Sequence, residues 1–217
     1  MEISEFFPIW EDLSEDEKQG LTANSVLKHT GVGRVRNIDE ECEGLILVNT
    51  GQLRAFVTSM DGKEVTLYRV LPGDVCLFSA ACIMKDISFD VIIEAEKETD
   101  YWVIPAHQYK YLMENSLSIS KYTNELLSSR FSEVMWLLEQ IMWQSMDKRI
   151  AAFLMEECNL EQNRELTITH EKIAAHLGTA REVVTRMLKY FQGEGLIELK
   201  RGAVIILDEV ALKALLA

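Results

Sequence analysis

Apolar and polar positions follow two different periods along this chain, and the change of period divides it. Over residues 45–48, 52–58, 64–70, 89–95 and 101–104 the apolar residues come in short, alternating runs, separated by Asn49-Thr50-Gly51, Asp61-Gly62 and Leu71-Pro72-Gly73-Asp74. Runs of this length bounded by Gly, Pro, Asn and Asp predict strands joined by tight turns. Asp61-Gly62 predicts a type I′ hairpin turn, because the positive φ it requires costs glycine nothing. Such spacing predicts a sandwich or barrel, and the first hundred or so residues read as mostly β.

From 118 to 146 the period lengthens. The segment holds neither Pro nor Gly, and Leu127, Phe131, Val134, Leu138, Ile141 and Ser145 recur four and three apart. That is the stripe of a two-stranded coiled coil, so the segment predicts a long helix that pairs with a second copy through Leu127, Phe131, Val134, Leu138 and Ile141. Met135, Trp136, Met142 and Trp143 add a second apolar face, expected to meet the barrel.

Residues 166–207 change pattern again. Ile173, Ala174 and Leu177 mark a short helix with Thr169 at its N-cap and Gly178 at its end. Thr179 is placed to cap a second helix. Its Val183, Val184, Met187, Leu188 and Phe191 turn inward, and Arg181, Glu182, Arg186 and Lys189 turn outward. Residues 196–199 and 203–207 then read as two strands around a Lys200-Arg201-Gly202 turn. Helix, turn, helix and a basic-tipped hairpin predict a winged helix-turn-helix. An outward Arg matches guanine O6 and N7, a neighbouring Glu accepts from cytosine N4, and residues four or five positions on return to the same face. Arg181, Glu182 and Arg186 meet that requirement. Thr169, Thr179, Lys189, Lys200 and Arg201 are the remaining expected DNA contacts.

A net charge of -13 argues against a nucleic-acid partner until its distribution is considered. Residues 147–217 carry 10 Lys and Arg against 11 Asp and Glu, leaving -12 for the preceding part. The acid lies away from the reader, where it limits non-specific binding. With 217 residues and 48% hydrophobic content the chain has material for two modest domains. It contains no apolar run of about 18 residues and begins with an acidic stretch rather than a basic leader, so a cytoplasmic protein without a membrane partner is expected. Four scattered cysteines, at 42, 76, 82 and 158, fit a reducing compartment.

The reader segment resembles the winged helix-turn-helix of the CRP/FNR family of bacterial transcription regulators. Ile168, Thr169, Ile173, Ala174, Leu177, Gly178, Arg181, Glu182, Arg186, Leu188, Lys189, Gly195, Leu196 and Ile197 stand in that family's places. The turns of 47–56 and 61–74 are similar to its cyclic-nucleotide-binding-like sensor. The resemblance implies an α+β chain: a double-stranded β-helix (jelly-roll, cupin-like) sensor barrel over 1–117, a dimerisation helix over 118–146 and a winged helix-turn-helix over 147–217. It also implies a homodimer on double-stranded DNA, an inverted-repeat operator with TGTGA-like half-sites, control by a small-molecule or redox effector, and contact with RNA polymerase if the protein activates. Two-fold symmetry would place two recognition helices about one helical turn apart.

The family's ligand signatures do not carry over. Members that bind cyclic AMP have Gly-Glu-Leu where this chain has Leu77-Phe78-Ser79, and an Arg-Ser pair near where it has Phe89-Asp90. Arginine is absent between Arg69 and Arg130, and an Asp would repel a cyclic phosphate. Cyclic AMP is therefore not the expected effector. Residues 1–41 contain no Cys, which argues against an N-terminal iron-sulfur cluster. Haem, through His29 or His107, stays open. Cys76, Phe78, Ser79 and Cys82 are the candidate effector-pocket residues, and Cys76 with Cys82 suggests an alternative redox switch, against the simpler reading that free Cys fills a core. A cupin-type metal enzyme needs converging His ligands, yet His29 and His107 lie 78 positions apart, and the chain lacks Gly-x-Ser-x-Gly. Neither catalytic residues nor a metal site are expected.

Overall fold

A computed structural model describes residues 2–36, 44–83 and 91–216. The fold is α+β. The described chain forms two compact units, Met1–Val57 with Leu67–Met135, and Thr58–Thr66 with Trp136–Ala217.

The first unit begins with helix rather than strand. Helix α1 (Glu15–Asn24) starts at a capping box in which Ser14 accepts from Glu17 N–H and the Glu17 carboxylate accepts from Ser14 N–H at 2.7 Å. The Ser-x-x-Glu spacing at Ser14 encodes this box, a helix within a region that is otherwise mostly β, as expected.

Among the described residues eight strands follow: β1 (Val26–Thr30), β2 (Gly33–Arg36), β3 (Gly44–Thr50), β4 (Leu53–Thr58), β5 (Glu64–Val70), β6 (Val75–Cys76), β7 (Ile92–Ala95) and β8 (Thr99–Pro105). They form two four-stranded sheets ordered β1-β8-β3-β6 and β2-β7-β4-β5, the strand order of a jelly roll. β3 is buried along nearly its whole length because both its faces are covered. Ile46 and Val48 join the core that includes Leu53, Ile93 and Val103, while Leu45 and Leu47 join the one that includes Leu21, Tyr109 and Leu112. Tyr109 and Leu112 belong to α2 (Ala106–Asn115).

The β4–β5 turn is not type I′. Gly62 N–H bonds Ser59 O across a four-residue turn, and only Gly62 takes a positive φ, +76°. This is a longer loop closed by a left-handed glycine, because Asp61 stays at negative φ.

Arginines of the sheets are paired with carboxylates. Arg69 Nε meets Glu96 at 2.8 Å with side chains 8% and 4% exposed, and Arg54 meets Glu94 at 3.0 Å. Gln52 also donates to Glu96, at 2.8 Å.

Helix α3 (Leu117–Trp143) buries its first turns, Ile119 and Thr123, against the sensor, and Leu126 and Leu127 pack there in part. Further along, Phe131, Leu138 and Ile141 are exposed, and so are Met135, Trp136, Met142 and Trp143. Arg130 of α3 places its guanidinium 4.4 Å from the centre of the Tyr68 ring.

The second unit contains α4 (Met146–Glu161), β9 (Glu165–Leu166), α5 (His170–Leu177), α6 (Arg181–Gly193), β10 (Ile197–Lys200), β11 (Ala203–Ile206) and α7 (Glu209–Ala214). One core joins Ile150, Phe153 and Leu154 of α4 to Ile173, Val184, Leu188, Phe191, Ile197 and Val204. The 58–66 segment belongs with this unit: Val65 bridges Leu177, and Thr66 Oγ1 lies 2.9 Å from His176 Nδ1.

Candidate nucleic-acid interface

The reader is built from two helix ends and the turn between them. Thr169 Oγ1 accepts from Lys172 N–H at 3.2 Å, the expected N-cap of α5. Gly178 ends that helix at φ +65°, a left-handed conformation that glycine adopts without a Cβ penalty. Arg149 from α4 reaches the same corner and donates to Leu177 O at 2.6 Å.

Thr179 does not cap α6. Its N–H bonds Ala174 O at 3.1 Å, which commits it to closing α5, and Ala180 becomes the N-cap residue without a side-chain bond. Helix α6 therefore starts at Arg181, the first residue of the expected reading face.

The amphipathic pattern then sets what α6 shows. Val184, Leu188 and Phe191 are buried, which turns Arg181, Glu182, Thr185, Arg186 and Lys189 onto one side, where they line an open cleft of about 470 Å³. Among the described residues, Arg181, Arg186 and Lys189 form no ion pair. Unpaired donors on a convex helix offer hydrogen bonds to base edges and phosphates. Lys200 and Arg201 sit elsewhere in the unit, at the tip of the β10–β11 hairpin, where Lys200 pairs with Ala203 across the turn.

Two neighbours of this cleft were missed by sequence reasoning, His170 and Thr185. Thr185 lies four positions beyond Arg181, so its place on the reading face was available from spacing alone. Its pairing with His170, Nδ1 to Oγ1 at 2.9 Å, depends on how α5 crosses α6 and has no local signal. Partial burial, then the charges of Arg181 and Lys189, push the His170 imidazole below its ordinary range.

The sensor candidates are placed differently. Cys76, Phe78 and Ser79 are all buried. Ser79 Oγ donates to Cys76 O at 2.6 Å and accepts from Ile46 N–H at 2.8 Å, so it ties two chain segments together. The Cys76 thiol lies 3.8 Å from Tyr68 Oη, and burial, then Cys76, pushes that phenol well above its usual range. The Cys82 side chain and residues 89–90 lie outside the described residues. His29 pairs with Asp100 at 2.7 Å on the surface. Among the described residues no cluster of His, Cys, Asp or Glu suits a metal ion, and none of their helices is long and apolar enough to cross a membrane.

Comparison with known proteins bears on both units. Residues 35–116 match the cyclic nucleotide-binding domain family, and residues 148–215 match the Crp-like helix-turn-helix domain family. The transcriptional regulator SdrP of Thermus thermophilus is 30% identical over 172 residues, spanning 76% of this chain and 80% of that protein. The cyclic AMP receptor protein of the same organism is 26% identical over 174 residues, spanning 78% and 80%. A solved structure from Eubacterium rectale, described as a transcriptional regulator of the crp/fnr family, is 52% identical, covers 98% of this chain and 99% of its own, and superposes with a TM-score of 0.94.

Proposed function

We propose, from the premise that this chain belongs to the CRP/FNR family of transcription regulators, that it acts as a homodimer reading an inverted-repeat operator. Family membership carries DNA-binding transcription regulation and an effector-binding sensor domain. The row Arg181, Glu182, Arg186 and Lys189, exposed along one side of α6 with half-buried Thr185 between them, is the observation that supports base reading. Arg181 and Arg186 are the proposed guanine contacts and Glu182 the proposed cytosine contact, compatible with TGTGA-like half-sites. Thr169, Thr179, Lys189, Lys200 and Arg201 are the proposed supporting contacts, and phosphate neutralisation by the lysines and arginines would make affinity strongly salt-dependent.

The dimer reading rests on α3. Phe131, Leu138 and Ile141 stand exposed at heptad spacing, with Val134 partly buried between them, and an apolar stripe of this kind is stable only when covered. Leu127, partly packed on the sensor, would extend that contact at its N-terminal end. The proposed boundaries are 1–117 for the sensor, 118–146 for the dimerisation helix and 147–217 for the reader.

For the effector we propose a ligand other than cyclic AMP. The Thermus relative named for cyclic AMP shares 26% identity, but this chain has no arginine between Arg69 and Arg130 to meet a cyclic phosphate. The complete burial of Cys76 speaks for packing rather than a redox switch. Selection of bound sequences from random duplex DNA tests the reading. Enrichment of a two-fold symmetric site with half-sites about one helical turn apart supports it. Enrichment of single, unrepeated sites would defeat the dimer reading, and no enrichment would defeat base reading.

A further inference from the structure

We infer that His170 is a proton-linked DNA contact: the duplex binds most tightly when both ring nitrogens are protonated, Nδ1–H donating to Thr185 and Nε2–H to a phosphate oxygen. This rests on the DNA-binding reading above.

The geometry sets up the linkage. His170 opens α5 and its Nδ1 lies 2.9 Å from Thr185 Oγ1 on α6, beside the cleft of Arg181, Glu182, Arg186 and Lys189. The cations acting on the ring come from α6, Arg181 and Lys189, while Glu171 and Lys172 are its neighbours on α5. The positive end of the α5 dipole also opposes a charged imidazole at this position. Without DNA, partial burial and these cations favour the neutral ring.

A duplex reverses that field. Its phosphates place one negative charge about every 1.7 Å along the helix axis, neutralise the neighbouring cations and favour an imidazolium. The imidazole pKa is then higher in the complex than in the free protein, so binding takes up a proton. Affinity rises as pH falls from the bound-state pKa towards the free-state pKa, and is flat outside that window.

Protonation also changes what Thr185 offers. While Nδ1 is an acceptor, the single hydroxyl proton of Thr185 is committed to it. Once Nδ1 carries a proton, Thr185 Oγ1 accepts, and its own O–H turns towards the cleft as a donor. His170 is in this respect a positioning residue for the reading face.

The test is isothermal titration of the full chain with a duplex enriched by the wild-type protein, in buffers of different ionisation enthalpy between pH 6 and pH 8. The expected result is uptake of up to about one proton per protomer, with affinity rising at most about tenfold per pH unit for each protomer. His170→Gln keeps a polar partner for Thr185 and is expected to abolish both the uptake and the pH slope. His170→Arg supplies a fixed charge and is expected to bind at pH 8 about as tightly as the wild type does at pH 6. Buffer-independent heats for the wild type, or uptake that persists in His170→Gln, would overturn the inference while leaving DNA reading intact. Failure of any duplex to bind at any of these pH values would overturn the reading and the inference together.

Discussion

In the N-terminal unit Arg54 and Arg69 are buried against Glu94 and Glu96, whereas in the C-terminal unit Arg181, Arg186 and Lys189 stand exposed with no ion pair among the described residues. The residue types are the same and their surroundings are opposite. A guanidinium inside a sheet persists only where a carboxylate offsets its desolvation, so it reports on the fold. One left unpaired on an amphipathic helix has its donors available, and in a chain of net charge -13 that local excess of cations marks a partner. Position relative to the apolar face, rather than residue count, separates the two uses.

The sharpest way to break this contrast is to remove a buried cation. Arg69→Ala leaves Glu96 4% exposed without its cation, and a loss of about 3–5 kcal/mol of stability is expected from denaturant unfolding, with DNA affinity of the folded protein retained. An equal loss of DNA affinity at unchanged stability would invert the assignment. Arg181→Ala is expected to do the reverse, costing about 1–3 kcal/mol on the preferred operator with unfolding unchanged. Next comes Thr169→Ala, which removes the hydrogen bond to Lys172 N–H and is expected to lower stability by about 1 kcal/mol. Smallest is Lys200→Ala at the hairpin tip, where binding should weaken alike on all sequences and the slope of log affinity against log salt should fall by about 0.9 for each protomer. A sequence-dependent loss there would make Lys200 a base reader.

The contrast also explains which parts of the molecule were legible in the sequence. The β5 boundaries, the α5 cap at Thr169, the Gly178 stop and the inward row Val184, Leu188 and Phe191 follow from local chemistry, because caps, left-handed glycines and a 3.6-residue period act within a few positions. Thr179 misled for an equally local reason. A threonine after a helix-ending glycine suits either neighbour, and its N–H was drawn to Ala174. Strands β1, β2 and β6 were not predicted, since β1 exposes Val26 and Leu27, β6 is two residues long, and their pairing partners lie far along the chain. The ion pairs of Arg54 and Arg69 and the His170–Thr185 contact were hidden for the same reason: each needs two elements brought together by packing. In the reader, the exposed row from Arg181 to Lys189 needs only one helix, and it is the part that sequence conveyed most completely.

The most direct test of the reader is to repeat the selection from random duplex DNA with Arg181→Ala beside the wild type. A two-fold symmetric site is expected for both proteins, with the variant losing discrimination at one guanine in each half-site and keeping it elsewhere. An Arg181→Ala profile identical to that of the wild type at every position would contradict it.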